Sequence, residues 1–393
     1  MDKKRLIQEY EKYVMPTYAR GPLVIVKGQG SKVWDMDGRE YLDFFPGWAV
    51  SGMGHTHPSV AGALRRQAKK VLHVPNNYYN ELQARLARKI SQYSFDGKVF
   101  FCNSGAESIE AAIKLARMYG SALGKFEIIT MENSFHGRTL AALAATGQAK
   151  YKQGFAPLPE GFVQAPFNDL EALKTKVSAK TVAVMLELIQ GEGGINVARP
   201  QYIKEVRSLC DKLGLLLIFD EVQTGIGRTG RMFCYQHYNV EPDVMCLAKS
   251  LGGGFPIGAV IAKRNIADTL QAGAHASTFG GSPLACACSL AVFQAIEKER
   301  LLANAQKMGE YLYKKLAHLK GKYHIVKEIR GKGLMLGMEL GREGKSIYEQ
   351  CLEKGLLINC AHENVLRIMP RLGVSKSEIN KAVRILENVL KMG

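Results

Sequence analysis

Residues 215–230 read LLLIFDEVQTGIGRTG, an apolar run that ends in an acidic pair and leads into a glycine-rich loop. A short apolar run bounded by polar residues predicts a β-strand that is buried on both faces of a sheet. This strand carries Asp220 at its carboxyl end, where open α/β sheets present the groups that bind ligands. Because burial of an unpaired carboxylate is costly, we expect Asp220 to have a cation or a hydrogen-bond donor as its partner.

The glycines of this stretch, Gly225, Gly227 and Gly230, match the G-x-G-x-x-G pattern of dinucleotide-binding sites. Such a site needs its first glycine directly after the strand and an acidic residue at the end of the next strand. Here DEVQT separates the strand from the first glycine, and the nearest acidic residues, Glu241 and Asp243, precede the next apolar run. The pattern therefore does not indicate a dinucleotide site.

Outward from this strand, short apolar runs alternate with longer amphipathic segments from about residue 98 onward. The runs KVFFC, FEIITM, TVAVMLEL and VMCLA are separated by stretches of helical length. Strands that are apolar throughout, with helices between them, predict an α/β domain with a mostly parallel central sheet.

The two ends of the chain have a different pattern. Near the N-terminus, strand-like runs around an Asp-Gly turn follow a polar helix, and the last third combines helices with the runs YHIVKEI and GLMLGMEL. A long helical stretch is predicted from near Pro283 toward residue 319. We therefore predict a large domain over residues 55–290 and a smaller α+β domain over residues 291–393, to which the N-terminal segment, residues 1–54, contributes.

Composition argues against several classes of protein. No apolar run approaches the roughly 20 residues that span a bilayer, and the charged start, MDKKRLIQEYEKY, is unlike a secretory signal, so the cytoplasm is the expected compartment. The eight cysteines lack disulfide or zinc spacing, and His55 and His57 stand without further ligands, so no metal is predicted. The formal net charge is +17, but the basic residues are spread along the chain, which favours solvated helix faces over a nucleic-acid partner.

A lysine and a strand-to-helix turn belong with Asp220 in one candidate site. Lys249 follows the run VMCLA, where desolvation lowers the pKa of a lysine and leaves its neutral amine available as a nucleophile. On position alone, two other interpretations are together equally good: a buried Asp220–Lys249 ion pair without chemistry, or a Lys249 side chain that reaches out to solvent. Gly105 lies between the strand FFC and a helix, where unpaired N–H groups favour a phosphate. Together the three features meet the needs of pyridoxal phosphate: a lysine for its Schiff base, a carboxylate for its ring nitrogen and an anchor for its phosphate.

Several segments along the chain match, in order, those of a known family. They are LDFFPGWAVSGMGHTHP, NSGAESIEAAIKLAR, SFHGRT, ELIQGEGGI, IFDEVQTGIGRTG, LAKSLGGGFPIGA and STFGGSPLACA. Over nearly its whole length the chain resembles the class III pyridoxal-phosphate aminotransferases of fold type I, and most closely the acetylornithine aminotransferases among them. The resemblance implies a large cofactor-binding domain with a mostly parallel sheet and a smaller α+β domain.

The resemblance also implies a role for each residue of the cofactor site. Lys249 would form the Schiff base and shuttle protons, Asp220 would pair with the pyridine nitrogen, and His136 would order the loop around Phe135. Thr278 is implied to reach the phosphate from the second subunit, so we expect a homodimer. Val222 is implied to pack on one face of the cofactor ring and Phe135 on the other. Gln223 is implied to hydrogen-bond the phenolic oxygen, and Gly105 and Ala106 to hold the phosphate.

Two arginines are implied to bind substrate carboxylates through a bidentate geometry that lysine cannot reproduce. Arg138 resembles the clamp for the carboxylate of acetylornithine, and Arg367 resembles the clamp for the α-carboxylate of 2-oxoglutarate or glutamate. Glu192 resembles the gate that pairs with Arg367 when no dicarboxylate is bound. Ser277 is a candidate contact of the acylated substrate.

The resemblance implies transfer of the δ-amino group of N2-acetylornithine to 2-oxoglutarate, giving N-acetylglutamate 5-semialdehyde and glutamate in arginine biosynthesis. Ornithine, succinylornithine, succinyl-diaminopimelate and 4-aminobutyrate are alternative donors, and a catalytically silent cofactor-binding protein is a further alternative. Lys32 stands where ornithine aminotransferases have a tyrosine that engages the free α-amino group, which favours an acylated donor. Leu188 and Trp48 depart from the family pattern.

Overall fold

The N-terminal segment forms a helix and an antiparallel sheet in the computed structural model, which describes residues 2–392. Its elements are α1 (Lys3–Tyr13), β1 (Ile25–Gln29), β2 (Lys32–Asp35) and β3 (Glu40–Asp43). The predicted Asp-Gly turn joins β2 to β3, and Gly38 adopts a φ of +80°, which glycine tolerates without steric cost. The Asp35 carboxylate closes this turn by accepting the N–H groups of Asp37 and Arg39.

Strands and helices alternate through the central part of the chain, as the apolar runs predict. In chain order these elements are α2 (Pro58–Ala68), α3 (Glu81–Tyr93), β4 (Gly97–Cys102), α4 (Gly105–Gly120), β5 (Glu127–Met131), α5 (Leu140–Ala145), β6 (Phe162–Ala165), α6 (Leu170–Thr175), β7 (Thr181–Glu187), β8 (Ile189–Gln190), β9 (Asn196–Val197), α7 (Pro200–Leu213), β10 (Leu216–Asp220), β11 (Val244–Leu247), β12 (Gly258–Lys263), α8 (Arg264–Ala267) and α9 (Pro283–Lys298).

A seven-stranded sheet in the order β4–β12–β11–β10–β7–β5–β6 forms the centre of the fold. The pairings from β11 through β10, β7 and β5 to β6 are parallel, whereas β12 runs antiparallel to both of its neighbours. Alternate residues of β10 enter different apolar clusters: Leu216 and Ile218 pack with residues of α4, and Leu217 and Phe219 with residues of α7. Helices therefore cover both faces of the sheet, and the predicted mostly parallel α/β architecture is confirmed.

The C-terminal part forms an antiparallel sheet in the order β13–β14–β17–β16. A further strand, β15, pairs in parallel with β3, with Leu356 opposite Leu42, so the two ends of the chain share a sheet. The domain boundaries remain a prediction, and the one placed after residue 290 falls inside α9. The elements are α10 (Leu301–Lys322), β13 (Val326–Lys332), β14 (Met335–Leu340), α11 (Lys345–Glu353), β15 (Leu356–Leu357), β16 (Asn359–Ala361), β17 (Val365–Ile368) and α12 (Lys376–Leu390).

The long helical stretch predicted from Pro283 toward residue 319 is present, but it consists of two helices. α9 ends at Lys298, and Arg300 then adopts a left-handed conformation with a φ of +52°. One left-handed residue interrupts the hydrogen bonding of a right-handed helix, so α10 starts afresh at Leu301. The apolar pattern continues across the break because both helices pack on the same core.

The cysteines are free thiols, as their spacing in the sequence suggests. All eight cysteines are free, and all but Cys360 are buried.

Within residues 2–392, no helix has the length and apolar character that a bilayer crossing requires.

The carboxyl ends of the parallel strands bring the candidate residues to one edge of the central sheet. Asp220 ends β10, and Lys249 follows β11 by two residues. At the same edge, Glu187 ends β7, and the loop with Phe135 follows β5. The turn to α4, which contains Gly105, follows β4. This edge is where open α/β sheets place their ligand sites.

The glycine-rich loop after β10 has a structural role. No α-helix follows β10 directly in the described chain, so the loop offers no helix N-terminus to a pyrophosphate. Instead its Arg228 side chain is fully buried and donates to the carbonyl oxygens of Leu334 and Pro370. Gly230 has a φ of +90°, and a Cβ there would lie 3.1 Å from the side chain of Gln306 on α10. The loop thus ties the central sheet to the C-terminal part of the chain.

We expect Arg228→Ala to lower the free energy of unfolding by about 3 kcal/mol, because two buried carbonyl groups lose their donor and a cavity remains. Burial lowers the pKa of the Arg228 guanidinium only to about 10, so the charge is present at neutral pH. Thermal unfolding monitored by circular dichroism checks the prediction, with the exposed Arg231→Ala as the matched control. Equal midpoints for the two variants would show that the buried arginine does not hold the loop.

Candidate active site

A cavity of about 420 Å³ opens at this edge of the sheet and gathers most of the predicted site residues. The predicted residues that line it are Gly105, Ala106, Phe135, Arg138, Glu192, Asp220, Val222, Gln223 and Lys249. They come from five separate segments of the chain, so the fold brings together what the sequence spreads over 145 positions.

Asp220 is buried, and its carboxylate has two partners. One oxygen accepts the backbone N–H of Val222 at 3.0 Å, and the other lies 2.8 Å from Nδ1 of His136. The partner of Asp220 within residues 2–392 is thus His136 and not Lys249, which argues against the silent Asp220–Lys249 ion pair. The carboxylate is fixed in orientation by these two contacts and lines the cavity.

Lys249 begins the 3₁₀ turn that follows β11 and lines the same cavity. Its backbone has a φ of +49°, an uncommon conformation for a lysine. Burial lowers the pKa of the Lys249 ammonium, and the carboxylates of Glu192 and Asp220 offset this only in part. A larger fraction of the side chain is therefore a neutral amine than in a lysine in water, and a neutral amine is nucleophilic.

The start of α4 is arranged to hold an anion. Ser104 caps this 16-residue helix by accepting the N–H of Glu107, and Ser104, Gly105 and Ala106 all line the cavity. The first N–H groups of an α-helix have no partner within the helix. A Cβ on Gly105 would lie 2.8 Å from the side chain of Val222, so only glycine allows the start of α4 to pack this closely against Val222. The donor set matches a phosphate group.

Glu187 is a buried carboxyl group between two loops of the site. One of its oxygens accepts the N–H of Phe135 and the other accepts the N–H of Gly191, at 2.8 and 2.9 Å. Burial raises the pKa of Glu187 to about 7. Through its two hydrogen bonds, Glu187 connects the loop that carries Arg138 to the loop that carries Glu192.

Arg367 is fully buried next to the cavity and is surrounded by acceptors. Its Nη1 lies 2.6 Å from the Glu192 carboxylate and 2.8 Å from the carbonyl oxygen of Gly191, with the Gln223 side-chain oxygen at 3.4 Å. Burial alone would raise the pKa of Glu192, but the charge and hydrogen bond of Arg367, with smaller contributions from Lys249 and Gln223, together outweigh it, and the net effect is a lowered pKa. The guanidinium also lies 4.6 Å from the ring centre of Phe45. The ion pair that the resemblance implies is present.

Arg138 is the opposite case, because its side chain is exposed at the cavity. Its guanidinium lies 4.1 Å from the ring centre of Tyr151 and 5.6 Å from that of Phe135. These cation–π contacts do not use the guanidinium N–H donors, which remain available to a carboxylate.

Ser277 and Thr278 are not among the residues that line the cavity of their own chain. Ser277 accepts a hydrogen bond from the side chain of Asn103, which does line the cavity, and Thr278 is exposed. Their loop is held by Asn76, whose side chain donates to the carbonyl oxygens of Ser277 and Gly280.

The histidines of the GHTHP segment separate from each other. His55 lies 2.7 Å from the Asp43 carboxylate, whereas His57 contacts Glu299 and caps α2 by accepting the N–H of Ser59. Among residues 2–392, no group of three or more potential ligands is arranged to hold a metal ion.

The positions that depart from the family pattern lie outside the cavity lining. Trp48 is about half exposed and packs edge-on against Phe45, and Leu188 is fully buried in the main core. The Lys32 ammonium pairs with Glu40 across β2 and β3 at 2.9 Å. No group at position 32 is therefore directed at a substrate.

Sequence reasoning underestimated some residues of the site. His136 was expected only to order the loop around Phe135, yet it is the direct partner of Asp220 and its Nε2 is buried without a hydrogen-bond partner in the described chain. Its place in SFHGRT was a usable signal. Glu187 ends an apolar strand, as Asp220 does. The expectation that such strands present ligand-binding groups at their carboxyl ends could have identified it as well. Asn359, whose side-chain oxygen accepts two hydrogen bonds from Arg367, belongs to no motif and could not have been identified from the sequence.

Glu221, the second residue of the acidic pair, is buried away from the cavity. Its carboxylate accepts the N–H groups of Cys234 and Tyr235 at 2.7 Å each and the hydroxyl of Thr224 at 3.2 Å. Burial raises the pKa of Glu221 to about 7 from an ordinary value of 4.5. The neighbouring carboxylates Asp220 and Glu221 therefore differ in role: one faces the cavity and the other holds a loop.

Comparison with known proteins agrees with the geometry. The family model described as "Aminotransferase class-III" matches residues 13–390. The acetylornithine aminotransferase of Caldanaerobacter subterraneus subsp. tengcongensis is 54% identical over 98% of this chain and 99% of its own length. That of Methanocaldococcus jannaschii is 50% identical over 99% and 98%, respectively.

Solved structures of the same kind superpose closely. Ornithine aminotransferase from Toxoplasma gondii ME49 gives a TM-score of 0.96 at 33% identity and covers 100% of this chain and 96% of its own. A second structure of the Toxoplasma gondii enzyme is reported with partial occupancy of PLP at the active site. Acetylornithine aminotransferase from Elizabethkingia anophelis gives a TM-score of 0.89 at 32% identity, with full coverage of both chains.

The raised pKa of Glu221 predicts a pH dependence of stability. Between pH 4.5 and about 7 the folded state binds more protons at this group than the unfolded state, so its contribution to stability falls as pH rises. Removing the group in Glu221→Gln should make the melting temperature fall less between pH 5 and pH 8 than in the unmodified protein. The exposed Glu310→Gln is the control and should keep the original slope; an unchanged slope in Glu221→Gln would contradict the assignment.

Proposed function

This chain belongs to the class III aminotransferases, and we propose that it transfers the δ-amino group of N2-acetylornithine to 2-oxoglutarate with pyridoxal phosphate as cofactor. One observation carries the proposal: a lysine with a lowered pKa shares one cavity with a fixed carboxylate, an anion cradle and Arg138, and the Glu192–Arg367 ion pair borders it. The high identity to acetylornithine aminotransferases over the full chain supports the choice of donor.

The residues present suit pyridoxal phosphate. The unpaired N–H groups at the start of α4 would hold the phosphate, and Asp220 would hold a proton at the ring nitrogen. Val222 and Phe135 line the cavity as apolar flanks for the ring, and Gln223 would donate to the phenolic oxygen. When bound, the cofactor supplies an electron sink for the carbon that carries the amino group.

The chain's own groups have distinct tasks in the reaction. Nζ of Lys249, which is neutral more often than in water, would take a proton from the carbon that carries the amino group of the donor, and in the second half-reaction would deliver a proton to the carbonyl carbon of the acceptor. His136 is already in contact with the Asp220 carboxylate, so the charge on Asp220 is oriented before substrate arrives. The apolar flanks limit water around these groups, which strengthens their electrostatic interactions.

The arginines would distinguish the two substrates. Arg138, exposed and stacked on Tyr151, is suited to the carboxylate of the amino donor, which enters and leaves from solvent. Arg367 pairs with Glu192, which would have to move before a dicarboxylate could bind. A donor with one carboxylate leaves that pair intact, whereas 2-oxoglutarate replaces Glu192.

The choice of donor among ω-amino compounds follows from position 32 as well. Lys32 is engaged with Glu40 outside the cavity, so the cavity has no group there to select a free α-amino group. Comparing kcat/KM for N-acetylornithine, ornithine, succinylornithine, succinyl-diaminopimelate and 4-aminobutyrate tests the proposal directly. A higher value for any other donor would reassign the substrate.

We also propose a homodimer in which Thr278 completes the partner's phosphate site. The support is that Thr278 and the adjacent Phe279 are exposed, and that Asn76, which donates to the carbonyl oxygen of Ser277, is followed by the exposed Tyr78 and Tyr79. Exposed apolar groups that gather in one region are typical of an interface.

Replacement of the lysine should abolish turnover. Lys249→Asn is the suitable variant, because asparagine tolerates the positive φ at this position better than alanine does. We expect kcat to fall by at least about a thousandfold, together with loss of the absorbance change that N-acetylornithine causes in the cofactor-loaded protein. Lys307→Asn, on the exposed side of α10, is the control; normal turnover by Lys249→Asn would overturn the catalytic assignment.

Removal of the exposed arginine should impair donor binding. Arg138→Ala should lower kcat/KM for N-acetylornithine by about tenfold to a hundredfold, since a charge-assisted hydrogen bond contributes about 1.5–3 kcal/mol. A primary amine without a carboxylate serves as the matched donor, and its kcat/KM should be unchanged by the substitution. If both donors lose activity equally, Arg138 supports the structure of the loop instead of binding the carboxylate.

A further inference from the structure

Arg367 has a cross-strand neighbour that no motif identified. It lies on β17, and the antiparallel register places Asn359 of β16 directly opposite it. Both Nε and Nη2 of Arg367 donate to the side-chain oxygen of Asn359, at 3.1 and 2.8 Å. One neutral acceptor therefore holds one edge of the guanidinium.

Two N–H donors of the Arg367 guanidinium remain after its hydrogen bonds to Asn359 and Gly191 are counted. Arginine has five N–H donors, one on Nε and two on each terminal nitrogen. Asn359 takes one donor from Nε and one from Nη2, and the Gly191 carbonyl takes one from Nη1. One donor remains on each terminal nitrogen, and Glu192 uses the one on Nη1, which the Gln223 oxygen approaches at 3.4 Å.

We propose that Asn359 is a positioning residue that holds Arg367 so that these two remaining donors meet the carboxylate of the amino acceptor. The inference rests on the proposed function, because it assigns Arg367 to the dicarboxylate substrate. Asn359 sets the affinity for 2-oxoglutarate and glutamate, and it does not affect a donor that leaves the Glu192–Arg367 pair in place.

The surroundings show why an amide suits this position. The fixed contacts of Arg367 are neutral: the Asn359 amide, the Gly191 carbonyl and the ring of Phe45. The charge of Arg367 is therefore balanced by one carboxylate, which Glu192 provides and a substrate can replace. A second carboxylate at position 359 would neutralise the arginine permanently and weaken its attraction for a substrate.

The backbone around this set leaves little freedom for the guanidinium to turn. A Cβ on Gly191 would lie 2.1 Å from the Gln223 side-chain oxygen, so the Gly191 carbonyl and Gln223 are closely packed. Loss of the Asn359 amide would leave two buried donors unpaired, and the guanidinium would lose the contact that fixes its Nε–Nη2 edge.

The test uses the cofactor-loaded protein and measures its half-reactions separately by stopped-flow absorbance. In Asn359→Ala, the apparent affinity for 2-oxoglutarate should fall by roughly tenfold or more, whereas the half-reaction with N-acetylornithine should stay within about twofold of its original rate. Calorimetric titration with glutarate, an unreactive dicarboxylate, should give an increase in Kd of the same size. The matched control is Asn364→Ala, which removes an amide of the same β16–β17 hairpin that bonds to the Leu340 carbonyl instead.

A second variant guards against a folding defect. Asn359→Asp keeps the size of the side chain and its acceptor oxygen but adds a negative charge, so glutarate binding should weaken again while the donor half-reaction persists. In an Arg367→Lys background, Asn359→Ala should add less than about twofold to the loss, because the residue acts through Arg367.

The outcomes separate the inference from the function on which it rests. If both Asn359 variants bind glutarate and use 2-oxoglutarate as the unmodified protein does, the inference is overturned and the proposed function stands. An equal loss in both half-reactions would also overturn it, since a structural defect would then be the cause. If the unmodified protein itself cannot return its amino group to 2-oxoglutarate, the proposed function fails, and the inference fails with it.

Discussion

Burial of charge at the carboxyl edge of the central sheet is the constraint on which the site depends. Asp220, Glu187 and Arg367 are all withdrawn from water there, and each would destabilise the fold without partners. The structure meets this cost with contacts from distant segments: His136 and a backbone N–H on Asp220, two backbone N–H groups on Glu187, and four acceptors around Arg367. The same contacts fix the orientation of each charge, so stability and readiness for chemistry have one physical cause.

Lys249 is the exception within this arrangement. It shares the cavity with the buried carboxylates but pairs with neither Asp220 nor Glu192, which have His136 and Arg367 as their partners. The nearest carboxylates thus have other partners, and desolvation prevails in lowering the lysine pKa. An ion pair between Asp220 and Lys249 would have removed both groups from reaction.

The two arginines illustrate how environment divides one side-chain type between two tasks. Arg367 has a fixed orientation, neutral neighbours and one carboxylate partner, Glu192. Arg138 is exposed and held by stacking on aromatic rings, which permits the edge of the guanidinium to adapt. A site that alternates between a donor with one carboxylate and an acceptor with two needs both kinds of cation. Glu187 accepts the N–H groups of Phe135 and Gly191 and so links the loop of Arg138 to the loop of Glu192.

The sequence by itself determined the class of fold and the central chemical pair. Apolar runs of strand length, separated by helical segments, specify a mostly parallel sheet because only strands buried on both faces are apolar throughout. Asp220 and Lys249 could be identified because each follows such a run, and the glycine pattern could be discounted from its spacing. The resemblance supplied the further residues, since its motifs name positions without needing their geometry.

Only the tertiary structure decided the partners. His136 and Asp220 are 84 positions apart, and Arg367 and Gly191 are 176 apart, so no local pattern could pair them. The register of the β16–β17 hairpin alone places Asn359 opposite Arg367. The break at Arg300 and the burial of Arg228 were likewise hidden, because they follow from packing between the central sheet and the C-terminal part of the chain. Sequence patterns report which residues are buried, whereas hydrogen-bond partners depend on distances that exist only after the chain has folded.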